Sequence, residues 1–80
     1  MTHPNPPPVS RAHVIAELYN LLGLFASLQT SRVELAHKYE ALPDNAGAQS
    51  AAHHRGSADA YVMAQTFIRE RIDLLTRAGE

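Results

Sequence analysis

Eighty residues and 8.8 kDa set the scale of one small domain, and 13 of the apolar residues are alanine, so few large side chains remain for a core. Seven Lys/Arg against eight Asp/Glu give a net charge of −1 with no strongly signed region, which argues against double-stranded nucleic acid as a partner. Cysteine is absent, and with it disulfides, thiolate metal sites and cysteine nucleophiles.

Four of the five prolines lie in the first eight residues. Residues 1–9 therefore read as an extended, proline-rich tail, because proline fixes φ and lacks an amide donor. The tail has neither the basic nor the apolar region of a targeting signal, and no apolar stretch reaches the roughly 20 residues of a membrane span. A cytoplasmic, soluble chain is the expectation, with no membrane partner.

Ser10 is placed to cap a first helix spanning about 10–42, which proline interrupts only at Pro43. Within it Val14, Leu18, Leu21, Phe25, Leu28, Arg32, Leu35, Tyr39 and Leu42 follow heptad spacing. The same helix is apolar beyond that line. Ile15 and Leu22 flank it on one side, Leu24 on the other, and Tyr19 and Ala26 lie further round. One antiparallel neighbour cannot cover so wide an arc.

Asp44 or Asn45 can cap a second helix over about 45–78, with a weak point near Gly56 and a restart at Ser57 as the alternative. Tyr61, Ala64, Ile68, Ile72 and Leu75 form one face, widened by Phe67 and Leu74, and Gly79 supplies a stop. A turn at Pro43–Asn45 sets residue i near residue 88 − i. Leu21 is then expected near Phe67, Phe25 near Met63 and Arg32 near Asp59. The predicted fold is all-α, an antiparallel helical hairpin dimerising into a four-helix bundle that hides the surplus of helix 1.

Three constellations bear on chemistry. Glu34 and His37 match the E-x-x-H spacing of bundle metal sites, but they fall on the polar stripe, so no metal or other cofactor is expected. His53, His54, Arg55 and Ser57, with Tyr61 one turn on, would form an anion site if a helix began at Ser57 with its free amides. The serines lack any nucleophile elbow, and a two-helix chain offers no deep pocket, so catalysis is not expected.

The reading these features favour is a non-enzymatic adaptor or inhibitor, a homodimer or higher oligomer that also binds another protein. Its contact surface is expected at Leu18, Tyr19, Leu21, Leu22, Leu24, Phe25 and Leu28. The alternatives are an oligomeric module binding a small anion or nucleotide through His53–Ser57, and a metal-binding bundle built on Glu34 and His37.

Overall fold

The computed structural model describes residues 10–78, and they form two helices packed against each other, α1 (Arg11–Glu40) and α2 (Asn45–Ala78). No strand occurs among the described residues. The proline-rich stretch 1–9 and the Gly79 stop lie outside them. The chain is an all-α helical hairpin.

Local chemistry sets the ends. The Ser10 hydroxyl accepts from the His13 amide at 3.1 Å, satisfying one of the orphan donors of the first turn of α1. Pro43 lies in the four-residue connection, and the Asp44 carboxylate accepts from the Gly47 amide at 2.6 Å to open α2. From Asn45 onward α2 is continuous, passing through Gly56 and Ser57 without a break.

Side chains paired across the helices define the register. Phe25 stacks near Tyr61 with centroids 5.9 Å apart, Gln65 bonds Gln29, and Tyr39 stacks on His54. The residue numbers of the first two pairs sum to 86 and 94, so residue i lies level with about residue 90 − i. That level is within about a turn of the one read from the sequence, but the helices are rotated relative to that reading. Leu21 and Phe67 lie outside the packed line, 43% and 62% exposed. Phe25 packs on Tyr61 rather than Met63, and Arg32 meets His54 rather than Asp59.

The line of α1 that turns toward α2 is Ile15, Leu18, Leu22, Phe25, Gln29, Arg32, Ala36 and Tyr39, all buried or half-buried. The matching line of α2 is Gly47, Ala51, His54, Ala58, Tyr61, Gln65, Ile68, Ile72 and Leu75, also at 4,3 spacing. The chain approaches itself closely at the turn end. There a Cβ on Gly47 would lie 2.7 Å from the Tyr39 carbonyl oxygen and 2.8 Å from the Leu42 Cβ. The buried residues are Ala36, Gly47, Ala51, Ala58, Gln65 and Ile72, and among the described residues no large side chain is fully enclosed.

Candidate functional site: two uncovered faces of the hairpin

Each helix has two flanks beside the packed line, and antiparallel packing puts like flanks together. On one side Arg55 forms an ion pair with Glu40. Further along that side Tyr19, Leu22, Arg69, Ile72 and Asp73 border a shallow open groove of about 580 Å³. Tyr19 stands over it, 57% exposed.

The other side carries the larger apolar surface. On α1 the residues Val14, Leu21, Leu28 and Leu35 recur every seven positions, with Leu24 beside them. Leu21 and Leu24 are 43% and 53% exposed, and the α2 residues Phe67 and Leu74 on the same side are 62% and 57% exposed. Nearer the turn α2 presents the small residues Ser57, Ala60 and Ala64 on that side. The charged groups at this face are few, with Glu17 and Lys38 on α1 and Arg71 on α2.

The surface expected from the sequence is thus divided. Leu18, Leu22, Phe25 and Leu28 are half-buried, the first three in the packing line. Leu21 and Leu24 belong to the leucine face, and Tyr19 belongs to the opposite groove. Phe67 and Leu74 of α2 complete the leucine face.

The residues of the expected anion site are dispersed. Because α2 runs through Ser57, the amides there are engaged within the helix and no helix N-terminus is formed. Arg55 turns to Glu40, Tyr61 packs on Phe25, and His54 turns into the packing line. His53 alone stays near His54, with ring centroids 5.5 Å apart. Glu34 and His37 are exposed, and His37 lies 3.7 Å from Glu40. Among the described residues no three His, Asp or Glu side chains converge as a metal site requires.

The packing line holds two polar contacts that hydrophobic periodicity does not reveal. Arg32 Nη1 donates to His54 Nδ1 at 2.9 Å, and since guanidinium can only donate, the accepting nitrogen is unprotonated. His54 stacks on Tyr39 at 5.3 Å. Partial burial first, then the charges of Arg32 and His53, hold the His54 pKa below its ordinary value. Three residues of α1 away, Gln65 Nε2 donates to Gln29 Oε1 at 2.7 Å and to the Tyr61 carbonyl at 3.1 Å.

Among the described residues no helix is long and apolar enough to cross a membrane. The chain matches no known family model, curated protein or solved structure.

Proposed function

We propose that this protein is a non-enzymatic interaction module, an adaptor or inhibitor that self-associates and engages other protein through the apolar surface left outside the hairpin. One observation carries the reading. The hairpin packs α1 on α2 through a line that includes Gln29, Arg32 and Ala36, while Leu21 and Leu24 stay 43% and 53% exposed. A hairpin selected only for its own core would rotate α1 to bury them, since each buried leucine contributes about 1.5–3 kcal/mol. Leaving them outside is favourable when another helix covers them. A domain of this size also gains from association, because its own core is small.

The test is thermal unfolding at several protein concentrations, beside a Leu21→Glu/Leu24→Glu variant. Association linked to folding raises the midpoint with concentration. The variant, altered at exposed positions, keeps helical content at high concentration but loses that dependence. A wild-type midpoint independent of concentration, with a single chain in solution throughout, would remove self-association from the reading.

A further inference from the structure

We infer that the leucine face is covered by a second copy of this chain, rotated by 180° about an axis parallel to the helices, so that α1 of each copy lies on α2 of the other. This rests on the interaction-module reading and specifies its partner and geometry. The face is large enough. The exposed parts of Leu21, Leu24, Phe67 and Leu74 come to on the order of 400 Å², and the half-buried Val14, Leu28 and Leu35 bring it to the ~500 Å² per partner at which specific interfaces begin.

The sequence of α1 shows why the second neighbour is a helix. Alongside the packed line runs another at heptad spacing, namely Val14, Glu17, Leu21, Leu24, Leu28, Ser31, Leu35 and Lys38. At 100° per residue the two lines are about 100° apart around the helix, the angle a corner helix of a four-helix bundle presents to its two neighbours.

The choice of partner helix follows from level and charge. A two-fold axis parallel to the helices leaves every residue at its own height, so the level read within the hairpin holds between copies. Residue i of one copy then faces about residue 88–90 − i of the other, with no sliding to adjust. At that level Val14 meets Leu74, Leu21 meets Phe67, and Leu24 and Leu28 meet Ala64 and Ala60 of the second copy. Large side chains fall on small ones, or apolar on apolar. Ser31 falls on Ser57, and Glu17 falls on Arg71.

That last pairing gives Arg71 a counter-charge it lacks in the single hairpin. Among the described residues Arg71 makes no ion pair, and Glu17 has only His13, 3.9 Å away. The same pairing sets Leu21 of one copy against Phe67 of the other, two residues that a single hairpin leaves 43% and 62% exposed.

Charge exchange followed by sedimentation equilibrium tests the geometry. Glu17→Lys and Arg71→Glu each convert two symmetry-related attractions into repulsions and are expected to raise the dimer Kd roughly tenfold. The double variant Glu17→Lys/Arg71→Glu returns it to within about threefold of wild type, and Lys38→Glu changes little. Because the chain has no cysteine, mixed Leu21→Cys and Phe67→Cys chains report independently, and the mixed disulfide is expected to dominate. A dimer rescued by Glu17→Lys/Lys38→Glu, or a dominant Leu21→Cys homodimer, would mean α1 lies on α1 and would overturn this arrangement alone. A dimer that the double exchange leaves weakened would do the same. A wild-type monomer at every concentration would overturn it together with the self-association reading.

Discussion

Gln65, the most deeply buried polar side chain among the described residues, reaches across the hairpin to Gln29, its Nε2 donating to the Gln29 side-chain Oε1 at 2.7 Å. Both amides sit where leucine would give more burial. Such a pair costs stability and specifies register, because a slipped hairpin would bury an amide without its partner.

Removing half of the pair should therefore hurt more than removing all of it. Gln29→Ala leaves Gln65 with only the Tyr61 carbonyl and should cost about 1–2 kcal/mol. Gln29→Leu/Gln65→Leu should be near neutral or stabilising, as buried polar pairs often are when replaced together. Chemical denaturation of the three proteins checks the order, and a double variant less stable than Gln29→Ala would contradict it.

The glycines should respond with opposite signs. At Gly47 an added methyl meets the Tyr39 carbonyl and Leu42 Cβ below 3 Å, so Gly47→Ala forces the helices apart and should cost about 1–3 kcal/mol despite the better helix former. At Gly23 and Gly56 nothing lies within 4 Å, and alanine there should stabilise by up to about 1 kcal/mol. Unfolding midpoints of the three single variants decide it.

Acid should weaken the hairpin through His54. Its folded-state pKa is held below the ordinary histidine value of 6.5, so the unfolded chain binds the proton more readily. The stability tied to the neutral ring is present above about pH 6.5 and is lost as pH falls toward and through the lowered pKa. His54→Gln keeps an acceptor for Arg32 without the titration. Between pH 7 and 5 its unfolding midpoint should fall less than that of the wild type, and parallel curves would show that the ring does not contribute.

Asp44 opens α2 by accepting from Gly47 at 2.6 Å. Asp44→Ala should cost about 1 kcal/mol, whereas Asp44→Asn, which retains an accepting oxygen, should cost less. Equal losses from the two would show that the cap bond is not the cause.

The parts of this fold that depend on near neighbours in the chain were legible. Ser10, Pro43 and Asp44 mark ends by chemistry that acts within one turn, and two long helices joined by a short connection pack as a hairpin. The direction of packing was not legible from hydrophobicity. The apolar arc of α1 serves two lines, one through Leu18, Leu22 and Phe25 and one through Leu21, Leu24 and Leu28. Its average bisects them, so the heptad drawn through Val14, Leu18, Leu21 and Phe25 took members of each. On α2 the packing line is built from Gly47, Ala51, His54, Ala58 and Gln65, whose only common signal is their 4,3 spacing. The same blindness hid the Arg32–His54 contact, since polar residues in a packing line look like its interruption.

Coverage of the leucine face by a second copy of this chain predicts a dimer in solution. Native mass spectrometry of the untagged chain, sprayed from near-neutral volatile buffer over a range of concentrations, measures that directly. The expected result is two chains with no added mass, dissociating to one on dilution and absent in Leu21→Glu/Leu24→Glu. A single chain at every concentration would contradict it.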